Sequence, residues 1–552
     1  MLTKEQETAV KHVYGPMMVV AGPGSGKTMV LTQRIKWLLD YTKPERILVI
    51  TFAKKAAEEM QQRFAKLTDE ETAEQVTFGT FHAVFYQWLR EWNVVSRNVR
   101  VLDEEKRQQL WHEMGWDMED IPAFLLCQRD AAMRYQQEKR RRNLIDFEDM
   151  IRLMEGEIKK HDIRQRYDFF LIDEFQDINP QQYGIVRQMV GKENPNLFIV
   201  GDEDQAIYAF RGSDPEIFLH FAKDFPGCKR VDLTLNFRCQ GMIVEASKAL
   251  ICHNQKRFEK SIRAYKPKAE TVKIKSVFDD KQEAMYIRDQ VLKQKRQGFQ
   301  YKEMAVLCRT NAQLRRVASA LQEGGVPYEC RESWNIDDKP EELLIKQDLE
   351  LFWRLSRNMA DREAFRGVLR TLPALQEAGN WRRVPEGCGI LDGLLEQKMD
   401  AQLRREYEEL KRRLEEGARL SQVKAYNYWM LQTDYLSYAY AKAKRRGLNK
   451  VDVWRQIRQM RREMKGEKGG VFLSTMHGAK GLEFDWVWIA GVNEGQSPRR
   501  EAIIQGNLEE ERRLLYVAMT RARKRLTLSY YDGLGMKPSR FLKEIKSLQT
   551  VF

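Results

Sequence analysis

The stretch AGPGSGKT at residues 21–28 decides how this sequence is read. An apolar run, Met17-Met18-Val19-Val20, precedes it, and Val30, Leu31, Ile35, Leu38 and Leu39 follow at helical spacing. Strand, glycine loop and helix in that order are what a phosphate cradle needs. Gly22, Gly24 and Gly26 let the backbone fold tightly, so that several N–H groups point at one polyphosphate. The helix that opens here adds the positive end of its dipole. Ala21, Pro23 and Ser25 complete the loop, Lys27 is placed to reach the outer phosphates, and the Thr28 hydroxyl to hold Mg²⁺. The motif specifies a nucleotide; it does not say what the nucleotide drives.

Composition sets the frame around that loop. A chain of 552 residues allows about three to five domains, and 43% hydrophobic residues supply several cores. Lys and Arg number 94 against 80 Asp and Glu, a net charge of +14, which favours a polyanionic partner such as nucleic acid. Seven cysteines are scattered with no C-x-x-C spacing, which argues against a zinc or iron–sulfur site and for reduced thiols. No run of about 20 apolar residues appears. The phosphate loop starts so early that no signal peptide fits before it, and a cytoplasmic protein is expected.

Outward from the loop, residues 46–51 (RILVIT) and 76–80 (VTFGT) read as further buried strands, the second running into Phe81-His82. Thr80 and Phe81 stand where open α/β sheets bind ligands, although core packing explains Phe81 equally well. Residues 169–172 (FFLI) deliver Asp173-Glu174, a carboxylate pair at a strand end, placed for Mg²⁺ and for the attacking water respectively. After the strand at 197–201, Gln205 is placed to sense a terminal phosphate, while Tyr208, Phe210 and Arg211 offer stacking faces and a phosphate contact to a single strand. Residues 231–235 read as the opening of a second α/β unit, continued at 272–276, 304–308, 471–474 and 486–490.

Two helical stretches interrupt this pattern. Residues 83–166 carry a basic cluster, Lys139-Arg140-Arg141-Arg142, read as a solvated helix face in preference to a phosphate contact. In residues 336–467, Leu403, Tyr407, Leu410 and Leu414 fall on one helix face, and 442–468 carries eleven Lys and Arg against three Asp and Glu. That basic segment reads equally as a surface helix and as a duplex or backbone contact. Taken singly, Gln6 reads as a surface residue, His477 as structural and Arg521 as one more surface charge.

In order along the chain, these blocks resemble the UvrD/Rep/PcrA helicases of superfamily 1: Gln6, AGPGSGKT, ITFAKKAAEEM at 50–60, TFGTFH at 77–82, LIDEFQD at 171–177, VGDEDQAIYAFRGS at 200–213, LTLNFR at 233–238, STMHGAKGLEF at 474–484 and EEERRLLYVAMTRA at 509–522. The resemblance implies an α/β protein with two RecA-like motor domains built on parallel sheets, each carrying a helical insertion. The first motor is expected at 1–82 and 167–225 with its insertion at 83–166, and the second at 226–335 and 468–552 with its insertion at 336–467. ATP and Mg²⁺ are the implied cofactors. Lys27, Asp173, Glu174, Gln205, Arg238 and Arg521 would form the catalytic set, the two arginines coming from the second motor. Phe237 would stack on adenine, Gln6 read its edge and Glu483 hold the ribose. Single-stranded DNA would cross both motors against Phe52, Thr80, Phe81, His82, Tyr208, Phe210, Arg211, His477 and Arg499.

The chain departs from the family pattern at several points. Met29 replaces the usual Arg after GKT, Phe210-Arg211-Gly212 replaces Trp-Arg-Gly, Arg499 stands where relatives often carry His, and the second insertion lacks a Pro-x-Arg-Gly-Ile-Gly element. The expected activity is that of an ATP-dependent helicase moving 3′→5′ and unwinding duplex, on single-stranded and tailed duplex DNA; whether it has a protein partner is left open. The alternatives are a translocase that barely unwinds and a nucleotide-switched subunit of a repair or phage-defence complex.

Overall fold

The computed structural model describes residues 2–114, 116, 129–191, 195–268, 272–330, 344–372, 384–385, 389–399, 401–419, 429, 469–533 and 535–545. They fall into two compact units: Met1–Glu283, Glu303–Thr310 and Ser474–Phe552 form the first, Ala284–Lys302 and Asn311–Leu473 the second.

The first unit contains a parallel sheet of six strands: β1 (Met17–Ala21), β2 (Ile47–Thr51), β3 (Thr77–Thr80), β4 (Phe169–Ile172), β5 (Leu197–Gly201) and β6 (Lys229–Leu233). Their order is β3-β2-β4-β5-β1-β6. The central strands are buried on both faces, which explains their unbroken apolar runs. Alternate residues serve opposite cores. Met17, Val19, Ile47, Val49, Phe169 and Leu171 enter one, and Met18, Val20, Leu48, Ile50, Phe170 and Ile172 the other. Because β4, β5 and β1 are neighbours, the segments leaving their C-terminal ends are neighbours too. These are the Asp173-Glu174 pair, the 202–205 turn and the glycine loop. The topology thus assembles the site.

A second parallel group in this unit is ordered β7-β10-β9-β8, with β7 at Val272–Val277, β8 at Met304–Cys308, β9 at Phe484–Ile489 and β10 at Ala522–Tyr531. In the second unit, Tyr328–Cys330 pairs in parallel with Val471–Leu473. Its core gathers Leu349, Phe352, Phe365, Leu391 and Trp429 around Tyr407, Leu410 and Leu414, with Leu403 half-buried, so the apolar face read at those spacings is the packed one. The basic segment 442–468 lies outside the described residues.

Three expectations need correction. Residues 231–235 do not open a second sheet: β6 pairs with β1 as the edge of the first. Its polar Lys229, Arg230 and Asp232 suit an edge, and strand character alone does not say which sheet a strand joins. Residues 83–166 are not purely helical, since Arg100–Val101 and Leu144–Ile145 form a short parallel ladder. The basic cluster is not a solvated face at Lys139. That side chain is 2% exposed, with Nζ 2.5 Å from both Asp146 and Asp149, and Tyr135 donates to Asp146 at 2.9 Å. Arg141 and Arg142 are tied to Glu138.

Lys139→Met leaves two buried carboxylates without their cation, and a loss of about 3–5 kcal/mol is expected. A lower apparent melting temperature, with earlier proteolysis inside 83–166, checks this; an unchanged melt contradicts it.

Candidate nucleotide and nucleic-acid site

The loop after β1 bends through two left-handed positions, Gly24 at φ +66° and Gly26 at φ +86°. A side chain at Gly24 would place its Cβ 2.6 Å from the Cβ of Arg238, so only glycine fits there. Gly26 caps the helix Lys27–Leu38. The Phe237 N–H donates to the Gly24 carbonyl at 3.0 Å, and Ser25 Oγ donates to the Gly22 carbonyl at 2.7 Å. Gln6 is not on the surface: it is 1% exposed. Its Oε1 accepts from Thr3 N–H at 2.9 Å in a reciprocal helix cap, and its Nε2 donates to the Ser25 carbonyl at 2.9 Å. The first helix is thereby fastened to the loop.

Facing the loop, β4 leads into Asp173, and Glu174 turns the chain with φ 50° and ψ 42°, a conformation few residues other than glycine adopt. Lys27 Nζ lies 3.3 Å from Glu174 Oε1. Among the described residues, neither Lys27 Nζ nor Asp173 Oδ1 has a hydrogen-bond partner, although both are buried. A buried ammonium held, among these residues, only by its Glu174 ion pair, and a buried carboxylate oxygen left open beside the glycine loop, suit a phosphate and a divalent ion. Burial and the adjacent Glu174 push the Asp173 carboxyl up. Burial acts on Glu174 in the same sense, but Lys27, Lys480 and Gln176 outweigh it and keep that carboxylate ionised.

Gln176 ties the two strand ends together: Nε2 donates to Glu174 Oε2 at 2.6 Å, and Oε1 accepts from Asp202 N–H at 2.9 Å. Lys480 donates to the Asp177 carboxylate and, at 2.9 Å, to the Gln205 carbonyl. Arg521 is 2% exposed. Its Nη2 donates to Gln205 Oε1 at 3.2 Å and its Nε to the Val517 carbonyl at 2.8 Å. Burial, aided by Arg238, lowers its pKa to about 9, so it still carries its charge at neutral pH. Arg238 donates to Glu483 at 2.6 Å. Phe237 packs against Tyr265 with ring centres 5.2 Å apart, and Tyr265 is 69% exposed.

The residues expected to meet a single strand separate into groups. Phe52 stacks on Tyr208 at 5.5 Å and 12°, Phe210 lies 6.1 Å beyond, and His477 meets Phe210 edge-on at 5.6 Å. Arg211 sits 5.3 Å from the Tyr208 ring and 5.5 Å from Phe210, while Lys480 sits 4.8 Å from Tyr208. Phe210 is 65% exposed, the most open member of this row. Burial, reinforced by Arg309, Arg211, Arg499 and Lys480, lowers His477 to about 4, so the ring is uncharged at neutral pH. Elsewhere, Thr80 caps the helix Phe81–Glu91 and His82 packs 4.7 Å from Phe147. Arg499 is exposed and paired with Glu501. Phe81 is 4% exposed inside the core beside Phe85, so it offers no stacking face; its role is packing.

Against known proteins, residues 2–126 and 126–226 match the UvrD/REP helicase N-terminal domain, and residues 231–384 and 395–533 match the UvrD-like helicase C-terminal domain. The chain belongs to the UvrD/REP helicase family. It is 30% identical over 601 residues to the putative ATP-dependent DNA helicase YjcD of Bacillus subtilis, covering 96% of this chain and 78% of that one. It is 29% identical to DNA helicase II of Escherichia coli, covering 99% and 87%. To the ATP-dependent DNA helicase PcrA of Staphylococcus aureus it is 28% identical, covering 99% and 86%.

In this UvrD/REP-family chain the structure adds residues that sequence reading did not assign. Lys480 lies within the STMHGAKGLEF block, yet its reach to Asp177 spans 303 positions and no local pattern announces it. Gln176 was legible only as part of LIDEFQD. Tyr265, beside Phe237, sits in a segment with no motif. Among the described residues, no helix is long and apolar enough to cross a membrane.

Proposed function

We propose that this chain is an ATP-dependent DNA helicase that moves 3′→5′ along single-stranded DNA and opens duplex ahead of it. The observation that carries the reading is Arg521 Nη2 against Gln205 Oε1, because it brings a buried arginine from the C-terminal segment to the turn beside the phosphate loop. Lys27 would neutralise the outer phosphates, Thr28 and Asp173 would hold Mg²⁺, and Glu174, ionised and turned inward, would take the proton of the attacking water. Mg²⁺, when bound, neutralises charge on the transferring phosphoryl group. Arg238 and Arg521 would stabilise the charge that develops in the transition state, provided that their segment closes on the loop. Residues 1–82 and 167–225 are proposed as the first motor and 226–335 and 468–552 as the second, with β6 contributed to the first sheet across that boundary. The row Phe52, Tyr208, Phe210 and His477, rimmed by Arg211, is the proposed base-stacking track.

ATP hydrolysis measured with and without single-stranded DNA, alongside strand separation on 3′- and 5′-tailed duplexes, tests the proposal. Hydrolysis is expected to rise with DNA, and the 3′-tailed duplex alone to be opened. Hydrolysis that ignores DNA contradicts the motor reading. The missing Pro-x-Arg-Gly-Ile-Gly element favours, as a second reading, a translocase with stimulated hydrolysis but little strand separation.

A further inference from the structure

Asp202, Glu203 and Asp204 follow β5 as three consecutive carboxylates with no solvent exposure. Charges so placed repel one another and have lost their water, so the fold must supply cations. Lys260, itself buried, does so: its Nζ is 2.6 Å from Asp202, 2.9 Å from Glu203 and 2.8 Å from Asp204. Arg257 closes on Asp204 through two bonds, of 2.9 and 2.7 Å, and the Phe258 N–H donates to Glu203 at 2.8 Å. Burial alone would lower the Lys260 pKa, but the three carboxylates outweigh it and keep the ammonium charged.

Asp202 has a second task. While Oδ1 accepts from Lys260, its Oδ2 accepts from Gln205 Nε2 at 2.6 Å. That bond decides which way the Gln205 amide faces. With Nε2 held by a carboxylate, Oε1 is the atom turned to Arg521, at 3.2 Å. The opposite orientation would set the amide NH₂ against a guanidinium and its oxygen against a carboxylate, two like-polarity contacts. The chain of contacts therefore runs Lys260–Asp202–Gln205–Arg521, from a segment outside every recognised motif to the centre of the site.

We propose that Lys260 is a positioning residue for ATP hydrolysis: by anchoring Asp202 it fixes the orientation of the Gln205 amide toward Arg521 and the γ-phosphate. This rests on the proposed function, in which Gln205 and Arg521 act on the terminal phosphate. A merely structural cation would support the fold without singling out turnover.

The test uses the full chain, with Lys260→Met and Asp202→Ala, each also made in a Gln205→Ala background. The readouts are kcat and KM for ATP with saturating single-stranded DNA, plus a thermal melt. Lys260→Met is expected to lower kcat about 10- to 100-fold with KM for ATP changed less than about threefold. Asp202→Ala is expected to match it, and neither to lower kcat further once Gln205 is Ala, since all three break one linkage. Full turnover in folded Lys260→Met, or losses that multiply with that of Gln205→Ala, overturn the proposal. Should Lys260→Met fail to fold, Asp202→Ala decides by the same criteria, because it leaves Lys260 paired with Glu203 and Asp204. A wild-type chain without DNA-stimulated hydrolysis overturns the proposed function and this inference together, whereas a stimulated wild type with unaffected variants overturns only this one.

Discussion

Lys27→Ala is expected to abolish ATP hydrolysis, by at least about 10³-fold, while single-stranded DNA is still bound. Lys27 is the first residue of the helix Lys27–Leu38 and points its Nζ into the buried region between the glycine loop and Glu174. Within the polypeptide its ammonium meets the Glu174 carboxylate at 3.3 Å, an ion pair that leaves donors free to turn to a phosphate. Alanine removes that charge in a buried setting, where an unscreened cation beside a phosphate matters most. The loop itself should persist, since Gln6 holds the Ser25 carbonyl and Phe237 the Gly24 carbonyl, and neither contact involves the lysine. The aromatic row lies on Phe52, Tyr208 and Phe210 and does not depend on Lys27. Steady-state hydrolysis and fluorescence anisotropy with a labelled oligonucleotide separate the two effects. Retained turnover rules out the phosphate role, and loss of DNA binding together with turnover indicates a folding defect.

Arg521→Ala is expected to keep nucleotide binding and lose turnover by about 10³-fold, a rise of about 4 kcal/mol in the barrier. The arginine follows the helix Leu508–Met519 and is held by the Val517 carbonyl through Nε, which leaves Nη2 directed at Gln205. Among the described residues its hydrogen bonds go to Val517, Leu482, Gln205 and Thr520 and not to the loop glycines or Lys27, so ground-state binding is not expected to rest on it. Its contribution arises where charge develops, and an effect on kcat with little on KM is the signature. Lys does not replace it well, because a point charge cannot hold Gln205 and a phosphoryl oxygen in one plane. A nucleotide-binding titration paired with single-turnover hydrolysis reads both quantities. Equal turnover in the variant removes Arg521 from the site.

The first sheet was legible because its strands are buried on both faces and so appear as uninterrupted apolar runs, as at 47–51 and 169–172. The candidate site residues at their ends could be proposed from sequence because glycine spacing and a carboxylate pair are local patterns. What escaped was set by distance along the chain. Joining β6 to β1 brings together segments about 200 positions apart, and nothing in KRVDL distinguishes an edge of the first sheet from the start of a second. β10 was missed because Arg523, Lys524 and Arg525 hide the apolar residues Leu526 and Leu528 that reach the core. Lys139 and Lys260 look like surface charge in any composition count. Their buried ion pairs depend on carboxylates, 146 and 149 in one case and 202–204 in the other, that only the fold brings near. Phe81 shows the converse: its motif points to a ligand, but its side chain is committed to the core.

The central claim is that arginines from the C-terminal half complete a triphosphate site begun by the glycine loop. A crystal structure with ADP, Mg²⁺, aluminium fluoride and a single-stranded oligonucleotide tests it most directly. The account predicts Gln205, Arg238 and Arg521 all within hydrogen-bond distance of the phosphoryl mimic, with Arg238 released from Glu483. Both guanidinium groups directed away from that mimic, with Lys27 alone in contact, would contradict it.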